Sequence, residues 1–273
     1  MPGRPQRTLE RAGALEGRGL HTGEPCRVSF RPAPAGAGAS FFRDGRPVER
    51  VFAGHSRCTA IGRAGAEIQT VEHAASALMG LGIDNVRVDV DGPEMPAMDG
   101  SAADFVNLFK GLGIADQREE VRVTTLTEPV FCHGEKSALA AFPAEDLSVC
   151  YALDFDFPGL RQTLFEVPVV TPEIYESQIA PARTFCAGPE AEALRAAGFG
   201  KGADERNTLV MTPDGPLGGS LRFSDECARH KALDLLGDLY FTGFPFAARI
   251  IGIRSGHGLN QQLAEAIKKQ RSS

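Results

Sequence analysis

Two stretches of this chain repeat one another, about 157 positions apart, and this constrains the fold more than any other feature. Glu72-His73-Ala74-Ala75-Ser76-Ala77-Leu78-Met79-Gly80-Leu81-Gly82 and Arg229-His230-Lys231-Ala232-Leu233-Asp234-Leu235-Leu236-Gly237-Asp238-Leu239 each read as a helix opening near a histidine. An internal duplication would supply two similar half-domains, each bringing one helix to a shared centre. Chance similarity of two Ala- and Leu-rich helices is the alternative, and the sequence alone leaves it open.

The second stretch carries chemistry. Positions i and i+4 of a helix lie one above the other, so His230 and Asp234 can converge on one ion from a single rigid element. Glu72-His73 can add a third ligand and a base. Imidazole nitrogen and carboxylate oxygen both suit zinc, and three protein ligands leave a position open for water, as in catalytic sites. The same donors accept iron(II).

With 273 residues the chain can bury a substantial core, as two ordinary domains or one large one. Its 42% hydrophobic and 23% charged content is that of a soluble globular protein. No apolar run reaches bilayer length, and Met1-Pro2-Gly3-Arg4-Pro5-Gln6-Arg7 lacks a signal peptide's apolar stretch, so a cytoplasmic location is expected. Six cysteines stand singly without a C-x-x-C pair, which disfavours a disulfide framework or a thiolate zinc site. A net charge of −6 without a long basic block argues against nucleic acid as a partner.

Periodicity predicts a helix after Thr70 as N-cap, closing at Gly80 and Gly82, and another over 102–112. A further helix is expected from a Ser224 cap to about Phe241, then short and final helices over 190–197 and 258–269. On the helix ending near Phe241, Cys227, His230, Asp234, Asp238 and Phe241 form one stripe. Strands are expected at 27–30, 86–90, around 121–123, and at 137–142, 147–155 and 162–167. The stretch between Phe185 and Phe223 reads as an insertion.

Seven ordered motifs together resemble the zinc-dependent UDP-3-O-acyl-N-acetylglucosamine deacetylases of lipid A biosynthesis. They are Gly17-Arg18-Gly19-Leu20-His21-Thr22-Gly23, Thr70-Val71-Glu72-His73, Leu81-Gly82-Ile83-Asp84-Asn85, Met98-Asp99-Gly100-Ser101-Ala102-Ala103, Ala182-Arg183-Thr184-Phe185, Arg229-His230-Lys231-x-x-Asp234-x-x-Gly237-Asp238 and Ser255-Gly256-His257-x-Leu259-Asn260. The resemblance implies an α+β fold of two similar domains, with helices sandwiched between sheets and a small insert in each. We place the halves at 1–122 and 123–273, with the second insert around 185–222. It further implies His73, His230 and Asp234 as zinc ligands and Glu72 as the base that deprotonates the attacking water. His257 would stabilise the oxyanion and protonate the leaving amine, Asp238 would orient His257, and Thr184 would donate to the tetrahedral oxygen. Lys231 would help neutralise the UDP phosphates, Phe185 would pack on the substrate, and Leu20 and His21 would lie near the site. The expected partner is thus a UDP-linked, acylated N-acetylglucosamine; neither an integral membrane segment nor an oligomer is required.

Residue by residue, bland readings compete. His257 could shape a turn before the last helix and His21 a turn between Gly19 and Gly23, while Asp99-Gly100-Ser101 reads as turn plus cap. Two departures bear on substrate. Phe142 stands where many relatives offer a lysine to the diphosphate, and the charged run 200–207 replaces an apolar entrance to the acyl passage. A different N-acyl sugar or sugar nucleotide therefore remains an alternative substrate, and a non-catalytic lipid- or nucleotide-binding relative a second alternative.

Overall fold

A computed structural model describes residues 3–54 and 57–271. A five-stranded and a six-stranded sheet share one topology over five strands, Thr124–Thr125 being the sixth, beside Phe246–Ile253 of the second. The first runs Gly13–Arg18, Pro25–Pro32, Val86–Asp91, Ala39–Arg43, Arg46–Val48, and the second Val130–His133, Ala138–Pro143, Phe246–Ile253, Ser148–Leu153, Thr163–Val167. In both, successive neighbours pair antiparallel, antiparallel, parallel, antiparallel. In both, the parallel strand enters after the chain has made a helix, Glu72–Gly80 in the first half and Glu226–Tyr240 in the second. A second helix then follows, Ala103–Leu112 and His257–Arg271 respectively. The duplicated helices thus occupy equivalent places in two equivalent folds, which chance similarity would not produce.

The helices lie between the sheets. The Glu72–Gly80 helix packs along Glu226–Tyr240, which rests with His257–Arg271 on the second sheet. All of Glu72–Gly80 except Met79 is buried, which explains its alanines: a helix enclosed on every side needs small side chains to let its neighbours approach. Gly237 shows the same demand at its limit, since a Cβ there would drive into the Glu72 backbone carbonyl. No helix among the described residues is long and apolar enough to cross a membrane.

Expected elements are found with shifted ends, at 25–32, 86–91, 138–143, 148–153 and 163–167 for strands and 103–112, 188–196 and 257–271 for helices. Two helix starts differ in mechanism. Thr70 does not cap the first helix; its backbone has φ +57° and its hydroxyl donates to buried Glu94, 2.8 Å away. Ser224 is not the cap either, since the helix begins at Glu226, whose buried carboxylate accepts from the Arg183 and Arg222 amides. At the first start a distant partner, Glu94, outcompetes the local cap. The strand expected at 121–123 instead ends at Val121, where Ile114–Val121 pairs with Arg4–Leu9. Its polar run Asp116–Glu120 hides it from any alternation test. The stretch 185–222 builds its own small sheet of Phe185–Ala187, Leu209–Thr212 and Gly215–Pro216 beside the Gly188–Ala196 helix.

Candidate active site

His73 stands in the first turn of its helix, and His230 and Asp234 share one face of theirs, so the helix pair brings His73 to two residues far from it in sequence. Their ligand atoms all lie within 4.8 Å of one another, and all three side chains are buried. His230 Nε2 is 3.3 Å from Asp234 Oδ1 and His73 Nε2 is 4.0 Å from it. His230 Nδ1 lies 2.9 Å from the Ala182 carbonyl, an acceptor only, so Nδ1 carries the proton and Nε2 turns a lone pair into the cluster. Burial pushes His73 down to about 3 and lowers His230 as well, which keeps both imidazoles neutral. Burial opposes charge on Asp234, but Lys231, whose Nζ lies 2.7 Å from Oδ2, together with His230, His257 and His73 outweighs it and holds the carboxyl below its usual range. Two neutral imidazoles and an ionised carboxylate are a fitting donor set for a divalent cation.

Glu72 and His257 stand beside this cluster, with His257 Nε2 3.7 Å from Glu72 Oε1 and 4.0 Å from Asp234 Oδ2. Burial raises Glu72 to about 8. Burial disfavours charge on His257, yet Asp238 foremost, with Glu72 and Asp234, reverses the balance and lifts it to about 9. Asp238 Oδ2 accepts from His257 Nδ1 and from Asn260 Nδ2, both at 2.9 Å. Asn260 lies one helical turn beyond His257, a spacing visible in the sequence. Thr59 has no such signal: it is fully buried, its hydroxyl donates to Asp238 Oδ1 and contacts His257 Nδ1, and its amide donates to Glu72 Oε2.

Glu72, His73, His230, Asp234 and His257 line a cavity of about 700 Å³ together with Thr184, Phe185, Lys231, Leu20 and His21. Of the residues given a part in the reaction from sequence, Asp238 alone stands behind the wall, reaching the cavity through His257. The Phe185 ring lies 6.2 Å from that of His230. Lys231 is turned inward to Asp234 rather than outward. The Leu20–His21 loop is held by Glu94, which accepts from the His21 and Thr22 amides at 2.9 Å and also from both the Thr22 and Thr70 hydroxyls at 2.8 Å. The charged run closes on the same loop, since Lys201 and Gly202 donate their amides to the His21 and Leu20 carbonyls. Its Arg206 pairs with Asp204 at 2.6 Å. Arg57 and Arg254, which no motif singled out, also face the cavity, Arg57 bridging to Glu190 of the insert. Phe142 lies elsewhere, its ring edge-on to Phe131 at 5.6 Å on the second sheet.

Known proteins share this architecture's sequence. The sequence model of the family described as UDP-3-O-acyl N-acetylglycosamine deacetylase matches residues 6–269. The chain belongs to that deacetylase family. It is 37% identical, over 96% of its length and 88% of the relative's, to a UDP-3-O-acyl-N-acetylglucosamine deacetylase of Anaeromyxobacter sp. (strain Fw109-5). Proteins of that name from Chlamydia muridarum and Trichormus variabilis are 36% and 35% identical, the alignments covering 98% and 96% of this chain. The coverage of the relatives, 96% and 98% in those two cases, leaves no large part of the deacetylase unmatched.

Proposed function

We propose that the chain hydrolyses the N-acetyl group of a UDP-3-O-acyl-N-acetylglucosamine, releasing acetate, as a cytoplasmic step of lipid A synthesis. One observation carries this reading: in a member of the deacetylase family, a buried His-His-Asp donor set, a carboxylate and an imidazole converge on one large cavity. His73, His230 and Asp234 would hold zinc, with iron(II) an acceptable substitute. Such an ion supplies Lewis acidity, polarising the amide carbonyl and bringing the pKa of water down to ~7.

Glu72 takes the proton of the attacking water. Its burial gives it a proton affinity an exposed glutamate lacks, which suits a base working near neutrality. His257, charged beside Asp238, gives a proton to the departing sugar amine and steadies the developing negative charge. Thr184 adds a hydroxyl donor to the tetrahedral oxygen. Lys231 brings positive charge to the same wall, and Phe185 packs on the sugar. Ala187, Ala191, Leu194, Val210 and Leu217 of the insert give one side of the cavity an apolar surface, against which the 3-O-acyl chain would lie. Leu20 and His21 add to the lining from the loop bonded to Lys201 and Gly202 of the insert.

The test is acetate release from a UDP-3-O-(3-hydroxyacyl)-N-acetylglucosamine by protein of known zinc content, beside Glu72→Ala. Wild type should turn over, and the variant should keep its metal while losing about 10²–10⁴-fold in kcat. A Glu72→Ala enzyme near the wild-type rate would remove the base assignment. Preference for another N-acyl sugar nucleotide in direct competition would remove the substrate assignment and leave the chemistry standing.

A further inference from the structure

Thr59 touches both ends of the proton path. A hydroxyl has one proton to donate, and toward the Asp238 carboxylate the Thr59 hydroxyl is the donor. Toward His257 Nδ1, 3.0 Å away, the same oxygen is therefore left as an acceptor. Nδ1 must then carry hydrogen, shared between Thr59 Oγ1 and Asp238 Oδ2, and Nε2 is the nitrogen presented to Glu72 and the cavity. On its other side the Thr59 amide donates to Glu72 Oε2 at 3.1 Å, and its carbonyl accepts from the Val71 amide at 3.2 Å. One buried residue from a loop outside both helices thus holds the carboxylate at the start of one helix and the Asp238–His257 pair of the other half.

We infer that Thr59 is a positioning residue that fixes acid and base relative to each other, keeping a hydrogen on His257 Nδ1 through the hydroxyl, so that Nε2 is the nitrogen that exchanges the proton, and holding Glu72 through the amide. The inference rests on the functional reading above for the roles of Glu72 and His257, but the contact itself is independent of it. A hydrogen bond that orients the partner of a reacting group changes turnover far more than substrate affinity, because its effect lies in the transition state.

The experiment compares Thr59→Val, which keeps shape and amide but loses the hydroxyl, with Thr59→Ser, which keeps the hydroxyl and loses a methyl. Zinc-loaded full-length protein is assayed for kcat, KM and zinc per chain. In parallel, ¹⁵N-histidine-labelled protein is examined by NMR for the His257 Nδ1–H resonance, assigned by its loss in His257→Gln. Thr59→Val should lose about 10–100-fold in kcat with KM within about twofold and zinc content unchanged. Its Nδ1–H signal should move or broaden, and Thr59→Ser should restore both signal and turnover. Equal kcat in Thr59→Val and wild type overturns the inference, as does a serine variant as impaired as the valine one, or an Nδ1–H signal indifferent to both. If Thr59→Val does not fold, Thr59→Ala replaces it in the same comparison with serine. A wild type that releases no acetate strikes the functional reading instead, and the NMR signal then decides the role of Thr59 alone.

Discussion

His230 illustrates how much a single side chain depends on its surroundings. Its i,i+4 partner Asp234 follows from helix geometry, but its protonation follows from the Ala182 carbonyl, 48 residues away. Because that carbonyl fixes the tautomer, the Nε2 lone pair of His230 is left free to take a cation. His230→Ala should therefore lose bound zinc at a free-metal level where Glu72→Ala remains loaded, a difference that elemental analysis of dialysed protein reads directly. Equal zinc content in the two variants would count against His230 as a ligand. At this scale the legible residues were those whose neighbours are local in sequence. His230 and Asp234 share a helix face, and Glu72 and His73 are adjacent. Thr59, Glu94 and Arg57 act through partners more than ten residues away and stand in no recognisable pattern.

The two central helices approach closely because one of them lacks a side chain where the other's backbone passes. Gly237 faces the Glu72 carbonyl, one position before Asp238, so its missing Cβ sets the distance between the base and the carboxylate behind His257. Gly237→Ala should cost about 1–3 kcal/mol, as overpacking does in a close-packed interior, and should lower turnover by displacing Glu72. Urea unfolding and kcat together check this; an alanine variant with unchanged stability would mean the helices can part freely. Helix existence was readable from periodicity and helix initiation was not. Thr70 and Ser224 have the right chemistry for caps, yet Glu94 draws the Thr70 hydroxyl away and the Glu226 carboxylate takes up loop amides at the second helix start. Competition of that kind is decided by whichever partner the folded chain brings near.

Across the whole molecule the two halves differ on their outer faces while agreeing inside. The first sheet carries charge outward, with Glu16 beside Arg27 and Asp89 between Arg31 and Arg87. The second exposes Phe131, Leu164 and Ile253, with Phe142 packed edge-on to Phe131. Phe142 thus stands outside the cavity lining, and a lysine there is not needed to complete it. Phe142→Lys should leave KM for the UDP-linked substrate within about twofold of wild type, since no contact with the bound molecule changes. A large drop in KM would show that the nucleotide reaches around to this face.

The order of the sheets reproduces a duplication first seen as two short strings of letters, and it does so through strands that carried little signal of their own. The central strand Phe246–Ile253 went unassigned because its apolar run does not alternate, and Ile114–Val121 because it is mostly polar. By itself the sequence determined the α+β class, the repeated helices, a candidate metal donor set and the family's motifs, since each is written in spacing along one element or in residues read together. Only the tertiary structure decided that the two helices touch, which nitrogen of His230 carries hydrogen and which nitrogen of His257 is held by Asp238. It alone joined Thr59 to acid and base, and bound the charged run to the Leu20–His21 loop. The physical reason is common to all of these: they are set by short-range contacts between residues far apart in the chain, and such contacts exist only once the two halves have packed.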